Sequence, residues 1–356
     1  MEREVPYSRI ENVKDILRTW RVPRELFGPL SKFYKRNVND LEILLEIFPD
    51  KSWSWNCISH NPNITWDFVQ RHPDKPWRWY GLSSNPNITE EIVQKSPEKP
   101  WDWSGLSHNP NISEKFIEDN IDKKWDWNGL SQNPNITWEF VQRHPEKPWI
   151  WYYLSKHPNI TWDIVQSNPD IPWEWEGLSQ NPNITWEIVR SNPDKPWGWE
   201  GLSLNPNITD EIIQSNLDKP WVWFLLSQNP NITEEFIQKH QKKKWDWFLL
   251  SGKLSWGFIQ KHQKKDWDWY HVSRNPNITW EIIQANPNKP WHWEGISENP
   301  NITWEIVQKH PKIKWKWAGL SVNPNITWEI VYDNKNKPWR WTGLSRNKFV
   351  HALLDD

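Results

Sequence analysis

Apolar positions recur along this chain in a fixed phase. Residues 61–84 read Asn-Pro-Asn-Ile-Thr-Trp-Asp-Phe-Val-Gln-Arg-His-Pro-Asp-Lys-Pro-Trp-Arg-Trp-Tyr-Gly-Leu-Ser-Ser. The Asn-Pro-Asn turn cannot be helical, and Thr65 stands where a helix N-cap belongs. Ile64 and Val69 have the spacing of a hydrophobic staple across that cap. Asp67 puts a carboxylate in the first turn, where the helix macrodipole favours it. Ile64, Phe68, Val69 and His72 then share one side of a two-turn helix. The position of His72 holds only His, Asn or Ser in successive copies, usually followed by Pro. This pattern predicts a helix stop with left-handed backbone.

The second half, Pro-Trp-Arg-Trp-Tyr-Gly-Leu-Ser, predicts a second short helix. A half-buried strand would put Tyr80 and Leu82 on one face. Yet the Leu82 position is nearly always aliphatic while the Tyr80 position is often Glu, Asn or Ser. In a helical or 3₁₀ turn Trp79 and Leu82 align at i,i+3, and Trp77 covers a second face. Gly occupies the Gly81 position in eight of thirteen copies, but Cys57, Tyr153, Leu225, Leu249 and His271 stand there in the others. Leu and Tyr are disfavoured in left-handed backbone, so the small residue answers a lack of space rather than a torsion.

Trp-x-Trp appears thirteen times, its first Trp at 53, 77, 101, 125, 149, 173, 197, 221, 245, 267, 291, 315 and 339. The step is 24 residues throughout except from Trp245 to Trp267, where it is 22. A constant period of this length marks stacked repeats that bury their apolar faces against one another. The expected fold is all-α, an elongated right-handed α/3₁₀ solenoid of about thirteen 24-residue two-helix repeats. At ~8–10 Å per stacked helix it would be roughly 100–130 Å long. The repeat frame spans 37–345, with its shortened unit near 251–256, where Ser251-Gly-Lys-Leu-Ser-Trp256 predicts a local kink or change of twist. Residues 1–36 carry two apolar helix faces and are expected to form an N-terminal helical cap; residues 346–356 are expected to form a C-terminal capping helix.

A mean hydropathy of -0.90 would suggest disorder, but 35 Trp supply the apolar surface and the polar residues keep phase with them. A net charge of -2 gives the whole chain no field demanding nucleic acid or an anionic membrane. A single cysteine, Cys57, excludes an internal disulfide framework and fits a reducing compartment. The N-terminus has no signal-peptide pattern, and no run approaches the ~20 apolar residues of a membrane span.

No nucleophile elbow, P-loop or dinucleotide fingerprint is present, and five of the eleven His residues occupy the helix-stop position. No catalytic residue, metal ligand, cofactor or small-molecule substrate is therefore assigned. The Asn-Ile-Thr sequons at Asn63, Asn87 and Asn135 read as structural, their Thr being the N-cap. The Trp that follows the cap in eight repeats reads as packing between helices, the alternative being an exposed ladder for sugars or bases.

Two features rise above the repeat background. The Tyr80 and Gly81 positions become bulky at Tyr152-Tyr153, Phe224-Leu225, Phe248-Leu249 and Tyr270-His271. This is either an apolar contact surface for a protein or local repacking around the shortened unit. The second is a basic edge. Lys242, Lys243 and Lys244, then Lys264 and Lys265, replace the usual Pro-Asp-Lys-Pro, which reads as a solvated edge or a surface for a polyanion.

The unit Ser-x-Asn-Pro-Asn-Ile-Thr-Trp-Glu-Ile-Val-Gln resembles the Trp-rich repeats of giant DNA viruses of amoebae over roughly residues 37–345. It is also similar in length and phasing to the bacterial leucine-rich repeat variant, with Trp replacing that family's aliphatic core. The first resemblance implies a viral structural or host-interaction protein, in the host cytoplasm or the virion; the second implies a superhelix of α and 3₁₀ helices. The function expected is a non-enzymatic scaffold mediating protein–protein interaction, without a membrane. The alternative is a helical repeat protein that binds nucleic acid through the basic edge.

Overall fold

The computed structural model describes residues 40–349. The N-terminal cap expected over 1–36 lies outside the described residues, as does most of the C-terminal cap. Residues 346–349 continue the repeat frame without helix. Among the described residues the chain forms twenty-six short helices and no strand.

Two kinds of helix alternate. One follows each Asn-Pro-Asn turn, as Trp66–Arg71 does. Thr65 caps it by accepting the Phe68 N–H at 3.2 Å, and Ile64 and Val69 are buried beneath. The other begins at the second Trp of each pair, as Trp79–Ser83 does, and buries Leu82. The helix stop falls where the sequence places it, but without left-handed backbone: His72 has φ -126° and Asn168 φ -129°. Among the described residues only Phe349 has a positive φ. The carbonyl at the stop is instead satisfied by the next Trp. The Trp77 indole N–H donates to His72 O at 2.8 Å, so a residue with negative φ serves and the left-handed turn is unnecessary.

Successive units meet through a recurring joint. The Ser59 hydroxyl donates to Trp55 O and accepts the Arg78 N–H of the next unit at 3.0 Å. The Asn85 side-chain amide donates back to Ser59 O and Asn61 O, while its carbonyl accepts the Asn87 N–H. Trp79 meets Trp101 edge to face at 5.3 Å, an arrangement worth ~0.5–1.5 kcal/mol beyond its area. Trp66 also packs on Trp101. Where an acid replaces that post-cap Trp, it bonds the next cap instead: Glu114 Oε1 accepts both N–H and O–H of Thr137. Trp and Glu are two solutions to one contact.

The solenoid is not the open, elongated rod its repeat count suggests. Its ends meet. Ser54 N–H donates to Ser345 Oγ at 3.0 Å, and the Asn61 amide donates to Ser345 O and Asn347 O. Trp341 meets Trp53 at 4.9 Å, and Lys51 sits over Trp341 just as Lys147 sits over Trp127. With these, thirteen serine bonds and thirteen edge-to-face Trp pairs at 4.8–5.9 Å join thirteen units into a ring.

The last unit is assembled from both ends of the chain. The Trp341–Leu344 helix supplies its tryptophan-led half, and Asp40–Ile47 supplies the other half by packing against Trp328–Asp333. Asp40 Oδ2 accepts the Trp328 N–H at 3.2 Å, and Phe48 lies against Tyr332 and Trp341. The described solenoid has no open end to cap.

Curvature follows from unequal spacing. Tryptophan-led helices approach one another closely, since a Cβ on Gly105 would lie 2.6 Å from Tyr80 O and 2.9 Å from Ser83 Cβ. The threonine-capped helices stand farther apart. Thirteen of each must close a circle, so the closely spaced layer forms the inner wall. At ~8–10 Å spacing that circle is roughly 33–41 Å across its helix axes, leaving an opening of about 20–30 Å. Gly81 and its equivalents have negative φ, consistent with a demand for space.

The shortened unit keeps most of the joint. Asp268 N–H donates to Ser251 Oγ at 2.9 Å, and Trp247 meets Trp267 at 5.3 Å. What disappears is one asparagine rung; Asn275 keeps the usual bonds to Ser251 O and Leu254 O, as Asn109 does to Ser83 O and Ile88 O.

Candidate interaction surfaces

On each inner helix the residue two before the buried Leu points about 200° away from it, toward the opening. This is the Tyr80 position. It holds Phe224 and Phe248, the two most exposed large apolar side chains among the described residues, at 52% and 51%. Leu249 is also exposed, and Leu225 is half-buried beside Phe224. Phe248 and His271 touch at 4.3 Å. Phe224, Leu225, Phe248, Leu249, Tyr270 and His271 thus belong to three consecutive units on one stretch of inner wall. Tyr152 and Tyr153 pack on each other at 5.4 Å but stand three units away from Phe224, so they are a separate feature.

The polar ends of this stretch are fixed. Burial first, and then the Glu298 carboxylate, push the Tyr270 hydroxyl up to about 12. It remains protonated and donates to Glu298 Oε2 at 2.8 Å. His271 Nδ1 meets Asp268 Oδ1 at 2.7 Å. Burial alone would raise Asp268, but the backbone and side-chain bonds from His271 outweigh it and hold the carboxyl low. Elsewhere the inner wall carries Glu176 beside Glu200. Burial, reinforced by Glu200, raises the Glu176 carboxyl.

The five lysines of the basic edge are not equivalent. Lys243 and Lys265 lie over the rings of Trp223 and Trp247 at 4.8 and 4.6 Å, and Lys265 Nζ also donates to Gln241 O at 2.9 Å. They repeat what Lys123, Lys147 and Lys195 do in other units. Lys242, Lys243, Lys244 and Lys264 are exposed and Lys265 is half-buried. All five lie in loops entering Trp-x-Trp, on the face of the ring opposite the Asn-Pro-Asn turns.

The sequon asparagines have structural partners. The Asn87 amide donates to Pro62 O and Ile64 O, and Asn135 to Pro110 O and Ile112 O. Among the described residues no three His, Cys, Asp or Glu side chains group as metal ligands would, and no helix is long and apolar enough to cross a membrane.

Sequence reasoning missed the ring and with it the direction in which the apolar residues face. A signal existed. The frame opens on a threonine-type half-unit before Trp53 and closes on a tryptophan-type half-unit after Trp339, and the two halves are complementary.

The fold and these surfaces define a class, an all-helical repeat scaffold closed into a ring. In comparisons with known proteins no family model matches this chain, and no curated protein or solved structure matches it.

Proposed function

We propose that this protein is a non-enzymatic scaffold whose ring holds a protein partner against the inner wall. The observation that carries the reading is the exposure of Phe224 and Phe248 in adjacent units, where most other units place Asn, Ser, Glu, Ala or Thr. The ring satisfies its own joints without them, so their apolar area is free for another surface. A concave wall with an aromatic centre and polar surroundings such as Gln228, Arg274 and Glu294 matches the anatomy of a protein interface. A phosphate chain is a poor occupant of the opening, because Glu176 and Glu200 stand side by side on its wall. The viral setting, an infected cell or a virion, is part of this proposal and rests on the resemblance to giant-virus repeats alone.

The test is co-purification from the native source, comparing the wild type with Phe224→Glu/Phe248→Glu. The partner should be lost while helical circular dichroism and Tm are retained. A variant that unfolds would make the pair core, and reproducible turnover abolished by one point substitution would make the protein an enzyme. Either result overturns the reading.

A further inference from the structure

The six residues before each Trp-x-Trp form one face of the ring, and their charge is uneven. Before Trp245, Trp267, Trp291, Trp315 and Trp339 they include thirteen lysines and two aspartates. Before the other eight Trp-x-Trp pairs they include eleven basic and nine acidic residues. Five consecutive loops therefore make a strongly positive arc on a face that is otherwise nearly balanced. A net charge of -2 conceals it.

The arc is exposed and partly fixed. Lys242, Lys244, Lys264, Lys312 and Lys314 face solvent, while Lys243 and Lys265 are held over Trp rings. His240 and His262 sit within it. Both are held below the ordinary imidazole range, by partial burial first and then by repulsion from the lysines around them.

We propose that this arc binds the phosphate backbone of a single-stranded nucleic acid, at a surface separate from the inner wall. Shape selects among polyanions. A flat anionic membrane laid on the face would also meet the nine carboxylates of the other loops. A duplex, with a persistence length of ~150 bp, cannot follow an arc of this radius and would touch it only at a tangent. A flexible strand can track all five loops. Each loop offers at least one lysine, at a spacing of ~8–10 Å along the ring. Lys243 and Lys265 already cover the Trp rings beneath them, so recognition is electrostatic and tolerant of sequence.

The experiment is fluorescence anisotropy of a labelled 20-nucleotide oligo-dT with the full chain. About five phosphate contacts give a log–log salt slope near -3.5, so affinity should fall roughly 100-fold between 50 and 200 mM salt. Lys242→Glu/Lys264→Glu/Lys312→Glu should weaken binding at least tenfold at 50 mM salt. Lys99→Glu/Lys219→Glu, on the balanced part of the same face, should leave it within twofold. Phe224→Glu/Phe248→Glu should not alter it, which separates this proposal from the partner on the inner wall. No binding at 50 mM salt overturns the proposal. Equal or tighter binding of a 20-bp duplex, of phosphatidylserine vesicles or of polyglutamate overturns it as well.

Discussion

Ring closure makes a demand that an open solenoid could not meet. Cys57 and Arg346 are 289 residues apart in sequence, yet Arg346 Nε lies 3.4 Å from Cys57 Sγ across the closing joint. Partial burial raises the Cys57 thiol, but contacts with Ser54 and Arg346 outweigh it and bring it below its ordinary 9.0. Cys57 is the only cysteine, so Arg346→Cys creates one defined pair. A short bis-maleimide should join the two within a single molecule. Tying a loop of this length in the unfolded chain corresponds, in the chain-entropy picture, to about 5–6 kcal/mol of stabilisation, with native strain subtracting from it. The cross-linked monomer should run at shifted mobility in a denaturing gel and unfold at higher denaturant. Its yield should be independent of protein concentration from 1 to 50 μM. In a rod the two thiols would be roughly 100 Å apart. Products that are only intermolecular, rising with concentration, would refute the ring.

Gly105→Ala should cost ~1–3 kcal/mol, because its Cβ meets Tyr80 O and Ser83 Cβ below 3.0 Å, whereas Gly257→Ala, near only Ser255 Oγ at 3.9 Å, should gain about 0.5–1 kcal/mol; urea titration of both checks the contrast. Ser107→Ala leaves the Asp126 N–H without its acceptor and should cost about 1–3 kcal/mol by the same assay. His157 stands in the asparagine ladder as a neutral imidazole, with Nε2 bonding Asn133 O and Nδ1 accepting the Asn159 N–H. Burial lowers it from 6.5, so its contribution is complete above that value and is lost as pH falls below it; His157→Asn should flatten that part of a Tm-against-pH profile. Burial raises Glu42 from 4.5, so its contribution is largest below that value and declines as pH rises. Glu42→Gln can still accept from Thr65 and should therefore stabilise the protein at pH 7 more than at pH 4, as read by Tm.

The repeat unit was legible because each of its residues answers a local question. Thr65 caps, Ile64 and Val69 staple, Leu82 is buried and Gly81 is small because the His60 and Ser59 side chains of the preceding unit are close. The helix stop was legible in place but not in torsion, since the indole N–H that satisfies the His72 carbonyl arrives from five residues on. Curvature was hidden because it is a small difference between two spacings, repeated thirteen times, and no single residue encodes it. Phe224 and Phe248 stood out from the repeat as bulky, but only the ring turns them toward a shared opening. The lysines before Trp245 and Trp267 were equally visible, while the part of Lys243 and Lys265 in the joint required the rings beneath them.

The unit assembled from both termini also sets a schedule for synthesis. The Asp40–Ile47 helix is among the first repeat elements made, and Trp341–Leu344 is among the last. At about 5–20 residues per second, the intervening ~300 residues take roughly 15–60 s to appear. Throughout that interval the Asp40–Ile47 helix lacks the flank that Trp328–Asp333 provides in the finished ring. Until the last helices are made the ring cannot close on itself, and two chains translated side by side could close each other's rings in place of their own.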